Sequence, residues 1–593
     1  MKMHIGGFLA VCAVALIPVC FCSCTRNNAV DIAPADYMAI QKKAEAFMPE
    51  TGKHGGSIVL PCLSVPQSFN PITLTNAETR GIVQYMYEGL VRENGINLLP
   101  EPALADTWEI GADKCTWTFH IRPGVLWSDS VPFSAYDVEF TFNSLIYNND
   151  ISPNPSRNAF ILDGRTILVK ALDSAKVRFN LSSPYAPFLR SLTQEILPRH
   201  KYSANVGDKS FASVMGTDIG AKDLAGTGPF ILDSYIPSQK IILKRNPHYY
   251  KKDRNGLPLP YLDSLVFVIK GDRNEQAAAF KKNELDYSPV SSEEFPGLKK
   301  IEVSGAFTMY RLGPSGGSNF LFFNQNTGTE GGSGKPYVDK AKLAWFRNEA
   351  FRKAVAHAID KNSMITMVMN GLGYAQWSPM PVSEGYFCNS VAEYPYDPKK
   401  AVDILGKQGF NDGNRDGILE DRDGRKVEFT IITNRNNAQR VKIGEILKKN
   451  LDAIGMRVRL EQLDFDTIMA RIDYPPYNWE AALMGLTGDP EPDAGKNVWR
   501  SNGSLHMWFP LQETPSTDWE ARIDSLFDAG VRELDPAKRK DIYTAWQVIA
   551  ADKLPLIYTV LPEQIYCLSN KFGNINPSVN GGLLHNIEWI FRK

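Results

Sequence analysis

The chain has almost no net charge, few cysteines beyond its first 24 residues, and no apolar run long enough to span a bilayer. Each shortage excludes a class of function. Lys and Arg number 65 against 66 Asp and Glu, a formal net charge of −1. That excludes a nucleic-acid binder working through a basic surface. Beyond Cys24 the cysteines are Cys62, Cys115, Cys388 and Cys567, widely spaced and without a C-x-x-C pair, so a zinc site has no support. An oxidising compartment would permit one or two disulfides among them, but their spacing does not say which pair. There is no H-E-x-x-H, and the eight histidines are scattered, so a catalytic zinc centre is not indicated either. Two motif matches fail on context. Gly313-Pro-Ser315-Gly-Gly317 satisfies G-x-S-x-G, but a nucleophile elbow needs a helix after the serine, and Phe320–Phe323 reads as a strand. A secreted serine hydrolase using Ser315 is therefore the different-class alternative, not the first reading. Gly331-Gly-Ser-Gly-Lys335 looks phosphate-binding, yet Thr329 and Pro336 break the P-loop pattern.

What is present is a long, ordinary globular composition with a targeting segment in front. At 593 residues the chain exceeds one hydrophobic core, so two or three domains are expected. Hydrophobic content of 43% and charged content of 22% suit a soluble protein. Lys2 and His4 precede an apolar run from Phe8 to Cys22, the pattern of a cleaved signal. Phe21-Cys22-Ser23-Cys24 resembles a bacterial lipobox, with the small Ser23 before Cys24. The reading is a lipoprotein signal peptide over 1–23, lipidation at Cys24 and a tether over 24–54, with a short helix possible between Asp36 and Met48. The body starts after Gly55-Gly56 with the strand Ser57–Leu60.

The periodicities are those of an α/β protein. A helix fits Ala77–Arg92, with Ile82, Val83, Tyr85, Met86, Leu90 and Val91 near one face. Alternating strands run through Thr116–Arg122. Ser134-Ala-Tyr-Asp137 opens a helix over Ala135–Tyr147 in the manner of a capping box. Further on, the β-branched run Val427–Thr433, a helix Ala438–Ile454 stopped by Gly455, and the strand Met456–Leu463 make a βαβ unit, which implies mixed sheets covered by helices.

Two acid-rich loops carry the candidate chemistry. The apolar strand Ala481–Leu486 breaks at Gly488 into Asp489-Pro-Glu491-Pro-Asp493. A carboxylate at the end of a buried strand is costly without a cation beside it. Either this is a solvated Asp-Pro turn, or Asp489 awaits a cationic group such as a peptide ammonium. Trp499 and Trp508 follow, as cleft-lining or core residues. In the second loop Asp412, Asn414, Asp416, Glu420 and Asp423 stand at positions 1, 3, 5, 9 and 12 with Gly417 at 6, as in an EF-hand loop. Asp423 replaces the usual Glu and a strand follows instead of a helix. Calcium is thus the weaker reading beside a metal-free, turn-rich hairpin.

Several segments, in order, resemble the family 5 extracellular solute-binding proteins, the dipeptide- and oligopeptide-binding components of ABC transporters. They are Tyr87-Glu-Gly-Leu-Val91, Pro102-Ala-Leu-Ala105, Phe119-His-Ile-Arg-Pro-Gly124, Pro132-Phe-Ser-Ala-Tyr-Asp-Val138, Gly226-Thr-Gly-Pro-Phe230, Arg245-Asn-Pro-His-Tyr-Tyr250, Leu257–Asp263, Asn283–Asp286 and Phe351–Asp360. Trp127-Ser-Asp-Ser130 departs from the family's Phe-His-Asp-Gly. The resemblance implies a two-lobed periplasmic-binding-protein fold with mixed sheets, a hinge, a ligand cleft and a discontinuous first lobe. Lobe 1 would span 55–312, with 76–224 as a subdomain, lobe 2 would span 313–560, and 561–593 would return to lobe 1. The crossings fall near 312–320 and 555–562, where Gly313, Gly316 and Gly317 can absorb a hinge motion. Thr487-Gly-Asp489 resembles the dipeptide-binding segment, which places the family's ammonium-binding aspartate on Asp489, although the next acid follows at a shorter spacing. The function implied is that of a monomeric, membrane-anchored lipoprotein on the periplasmic or extracellular face. It would capture peptides and hand them to permease subunits, with no cofactor, no reaction and no nucleic acid. Nickel chelates, sugars or other small solutes are the rival ligands in the same fold.

Overall fold

A computed structural model describes residues 35–207, 209–381 and 385–593. The apolar leader and Cys24, with the lipidation expected there, lie outside the described residues.

The strand Ser57–Cys62 alternates half-buried with buried residues and pairs in parallel with Ser264–Ile269, Ser57 opposite Ser264. Lys240–Arg245 and Phe230–Ile236 extend this sheet antiparallel. A second sheet, all antiparallel, orders Ala105–Ile110, Thr116–Ile121, Lys176–Asn180 and Leu168–Ala171. Phe119 of this sheet packs edge-on against Phe179 and Phe188. One hydrophobic core joins both sheets, and Leu568, Phe572, Leu583, Ile587 and Ile590 from the end of the chain complete it. The first lobe is therefore discontinuous in sequence.

The other lobe is built on a five-stranded sheet in the order Arg457–Leu463, Glu428–Asn434, Ala481–Leu486, Ser318–Phe323, Ile557–Tyr558. Glu428–Asn434 and Arg457–Leu463 are parallel and are joined by the helix Ala438–Asp452. Phe320-Leu-Phe-Phe323 is apolar throughout because both faces of its strand are covered. Leu321 and Phe323 enter one core with the helix Glu349–Ala358, while Phe320 and Phe322 enter another with Trp479, Trp508 and Trp546.

The chain passes between the lobes twice. Phe307–Pro314 runs into Ser318–Phe323, and Ile557–Tyr558 runs into Val560–Ser569. The two passages are paired antiparallel, with Phe307 opposite Ser569 and Phe320 opposite Tyr558. Gly313 and Gly317 hold φ of +105° and +99°, values that favour glycine. A Cβ on Gly317 would stand 2.6 Å from the Leu486 carbonyl oxygen, whereas Gly316 is exposed with open space around it.

Two helices differ from their sequence pattern. The first ends at Val83, not Arg92. The carbonyls of Tyr85 and Met86 accept from Phe230 and Gly228, and that of Glu88 from Ile196, so tertiary partners replace the helical ladder. The second is α-helical over Ala135–Phe140 and continues as a wider π-turn over Thr141–Ile146. Cys62, Cys115, Cys388 and Cys567 are all free thiols.

Candidate functional site

A cavity of about 970 Å³ lies between the lobes. Lobe 1 contributes Arg80, Glu88, Arg92, Glu93, Tyr185 and Arg190, and lobe 2 contributes Asp489, Glu491, Asp493 and Lys496. The lobes meet beside it: the Ala186 amide donates to the Val531 carbonyl at 2.8 Å.

Asp489 is carried to the cavity by the end of a sheet strand. Ala481–Leu486 is held on both sides, by Ser318–Phe323 and Glu428–Asn434. The chain then leaves the sheet, and the Asp489 carboxylate accepts from the Glu491 amide at 2.8 Å, a local turn that fixes its side chain. Facing it from the short helix Phe188–Ser191 of lobe 1 is Arg190, with Nη2 at 3.7 Å from Asp489 and 2.6 Å from Glu93. One guanidinium thus serves two carboxylates. Burial pushes the Glu93 carboxyl above its usual range and the nearby Asp489 charge adds to that, with Arg190 opposing.

The other two acids of the loop have cations of their own. Arg539 grips Glu491 with both terminal nitrogens, donates to the Tyr386 hydroxyl at 2.7 Å and to the Gly530 carbonyl at 2.8 Å, and stacks near Tyr386 and Tyr543. Burial raises Asp493, which pairs with Lys496 at 3.2 Å. On the lobe 1 side, burial would raise Glu588, but Lys251 and Arg92 outweigh it and hold its carboxyl at about 2. Arg80 pairs with Glu195 at 3.3 Å. Glu88 accepts from the Tyr249 hydroxyl, and burial raises it. Sequence reading missed Arg190, Glu93 and Arg539, because nothing local marks them and their partners are distant in the chain.

Trp499 and Trp508 are a correction. Both are buried in the lobe 2 interior, with ring centroids 5.5 Å apart, and Trp499 also packs edge-on against Trp546. The Trp508 indole donates to Glu520 at 3.1 Å, which satisfies its polar edge inside the core. Neither is among the cavity-lining residues.

Residues 100–506 match the family model described as bacterial extracellular solute-binding proteins, family 5. The chain belongs to this family. A probable ABC transporter-binding protein of Deinococcus radiodurans is 29% identical over 485 residues, 77% of this chain and 78% of that protein. The oligopeptide-binding protein AppA of Bacillus subtilis is 24% identical over 469 residues, 78% of this chain and 79% of that protein. Its structure in complex with a nonapeptide aligns with a TM-score of 0.65 at 20% identity, covering 92% of this chain and all of that one. NikA of Brucella suis in complex with Fe(III)-EDTA aligns with a TM-score of 0.72 at 20% identity, covering 91% and 100%.

Family 5 proteins are transport binding proteins, not enzymes, and the geometry at Ser315 agrees. Ser315 lies between two strands, Phe307–Pro314 and Ser318–Phe323, and its amide donates to the Pro562 carbonyl, so the strand-to-helix elbow is not formed. As an extracellular solute-binding protein the chain acts outside the cytoplasm. Among the described residues no helix is long and apolar enough to cross a membrane.

The Asp412–Asp423 loop of this family 5 protein folds back on itself through bridges of Glu420 to Asn411 and to Lys426. Asp412, Asp416 and Glu420 bring oxygens within 4.8 Å of one another. Asn414 donates to Glu420 at 2.7 Å, while Asp423 turns away to Arg425 at 3.1 Å. Glu428–Asn434 follows as a strand.

Proposed function

We propose that the protein captures peptides in the interlobe cavity and delivers them to the permease of an ABC transporter, anchored through lipid on Cys24 and acting as a monomer. Asp489 receives the peptide amino terminus. The observation that carries this reading is the sharing of Arg190 by Asp489 and Glu93. The cavity holds one more carboxylate there than it has cations to pair, and an ammonium group would supply the missing charge. A cavity of this size stands at the upper end for small-molecule sites. AppA, which binds a nonapeptide, points the same way.

Lobe 1 is read as 55–312 with 561–593, and lobe 2 as 313–560. Asp489 belongs to lobe 2 and Arg190 and Glu93 to lobe 1, so a ligand that touches all three binds the closed arrangement better than the open one. That difference is what drives closure. No bond is made or broken. Native mass spectrometry of the protein purified from its own cells tests the ligand class. Adduct masses that resolve into peptides on denaturation are expected. A nickel chelate or a sugar in their place would overturn the peptide reading and leave the family unchanged.

A further inference from the structure

We propose that residues 35–50 form a strap across the back of the hinge and that its docking holds the lobes in their closed arrangement. The inference needs the lobes to move, but it does not need the ligand to be a peptide.

The strap contains the helix Tyr37–Glu45, capped by the Asp36 carboxylate accepting from the Ala39 amide at 3.0 Å. Its first residues sit on the hinge. Tyr37 lies so close over Gly313 that a Cβ at Gly313 would stand 2.6 Å from the Tyr37 Cβ. The pairing of Phe307–Pro314 with Val560–Ser569 slips in register between Arg311 and Gly313, the same place. Tyr37 also packs edge-on against Tyr374, with centroids 6.4 Å apart, and the Tyr374 hydroxyl donates to the Ala35 carbonyl at 3.2 Å. Tyr374 belongs to the strand Gly373–Ala375, which pairs with the second hinge strand at Val560–Pro562. Glu563, on that same strand and paired with Arg311 at 2.6 Å, takes a hydrogen bond from the Ala35 backbone.

The other end of the strap is fixed to lobe 1. Gln41 donates to the Ile96 carbonyl at 2.8 Å, and Asn576 donates to the Ala44 carbonyl at 3.3 Å. Asn574 exchanges two 2.8 Å hydrogen bonds with the Glu50 backbone. Ala44 is buried. A segment fastened at both ends, with its tyrosine over the positive-φ glycine of a hinge strand, resists any motion that moves Tyr374 away from Ile96. Gly313 and Glu563 stand on the lobe 1 side of a pivot at 315–317 and 559, whereas Tyr374 is carried by lobe 2, so opening the lobes draws Tyr374 away from Tyr37 and Ala35 and the strap must slide or release.

The test uses the full-length protein with no solute added. Tyr37→Ala removes the ring that lies beside Gly313 and packs on Tyr374, and Tyr374→Phe removes a hydroxyl that reaches both the Ala35 carbonyl and the Glu563 carboxylate, so Tyr37→Ala is the deciding variant. Met38→Ser, on an exposed position of the same helix, is the control. Amide hydrogen exchange should quicken in both Phe307–Pro314 and Val560–Ser569. The expected change is at least about fivefold for Tyr37→Ala and for Tyr374→Phe, about fivefold being the net effect of each hydrogen bond lost. The radius of gyration in solution scattering should rise in step, and the control should match wild type. Unchanged exchange in both hinge strands, or faster exchange confined to Tyr37–Glu45, would overturn the proposal, since packing without a hinge role gives that result. Should Tyr37→Ala fail to fold, Gln41→Ala, which frees the lobe 1 end of the strap without touching a hinge strand, decides in its place.

Discussion

Two loops of the second lobe are dense in carboxylates, and they hold them in opposite environments. In Asp412–Asp423 every carboxylate oxygen of Asp412, Asp416 and Glu420 already accepts a hydrogen bond, from the amides of Gly413, Asp416, Gly417 and Ile418, the side chain of Asn414, and Lys426. In Asp489–Asp493 the acids part company. Glu491 and Asp493 have Arg539 and Lys496, while Asp489 looks across a cavity at an arginine engaged with Glu93. The difference teaches that acid count says little about function. What matters is whether donors are already in place around each carboxylate, and that is decided by residues far away in sequence.

The comparison is broken most forcefully at Glu491. If Glu491 is structural, Arg539→Ala leaves a mostly buried carboxylate without its bidentate partner, a change that costs about 3–5 kcal/mol. A clear fall in the thermal midpoint of the ligand-free protein is expected. A mutant that unfolds like wild type but has lost solute binding would move Glu491 and Arg539 into the ligand site.

Asp489 is the next largest effect, and here the expected loss is in binding. Asp489→Ala should weaken binding of a short peptide such as trialanine by about 2–5 kcal/mol, as for other truncated charge pairs that lose solvent on binding. N-acetylation of the peptide deletes the matching charge, so the two losses should not add. Calorimetry on the four combinations measures this. Equal affinity of the wild type for trialanine and its acetylated form would remove Asp489 from the ammonium role.

The tryptophans give a prediction in acid. Burial would raise the Glu520 carboxyl, but the His506 imidazole nearby and hydrogen bonds from Trp508, Ser516 and Thr517 bring it down to about 2. A carboxyl with a depressed folded pKa stabilises the protein above its unfolded value of about 4.5 and loses that contribution as pH falls toward 2. The contribution is on the order of 3 kcal/mol. Stability should therefore fall between pH 4.5 and 2, and the slope should flatten in Glu520→Gln. An identical slope in the mutant would show that Trp508 is not held by an ionised Glu520.

Much of the fold was legible because local patterns agreed with it. Ala481–Leu486 is the strand its apolar run predicts, and Glu428–Asn434, Ala438–Asp452 and Arg457–Leu463 form the βαβ unit within a residue or two of the pattern. The helix from Ala77 was read too long because apolar residues at Tyr85, Met86 and Leu90 keep the period while their backbone pairs elsewhere. The site was legible only in part. Asp489 stands out as a charge after a buried strand, but Arg190 reaches it from the other lobe, and no spacing rule links them. Trp499 and Trp508 were ambiguous because an aromatic stretch reads alike in a cleft and in a core, and the donor bond to Glu520 decides for the core only once the chain is folded.

The smallest expected effect concerns the other loop. A calcium ion between Asp412, Asp416 and Glu420 would have to compete with the lysine ion-paired to Asp416 and share oxygens that already accept backbone and amide hydrogens. Asp423, which would stand at the bidentate position of an EF-hand, is paired with Arg425 instead. Lys426 and Asp416 are both partly exposed, so their pair contributes little to stability. A ligand at a hundred times its dissociation constant would add about 2.7 kcal/mol to stability. Thermal unfolding in millimolar calcium and in chelator should therefore coincide, and Asp412→Asn should shift both curves equally and slightly. A calcium-dependent rise in the midpoint that Asp412→Asn abolishes would show that the hairpin's own donors give way to the ion. The contrast between the two loops would then rest on which cation each one takes.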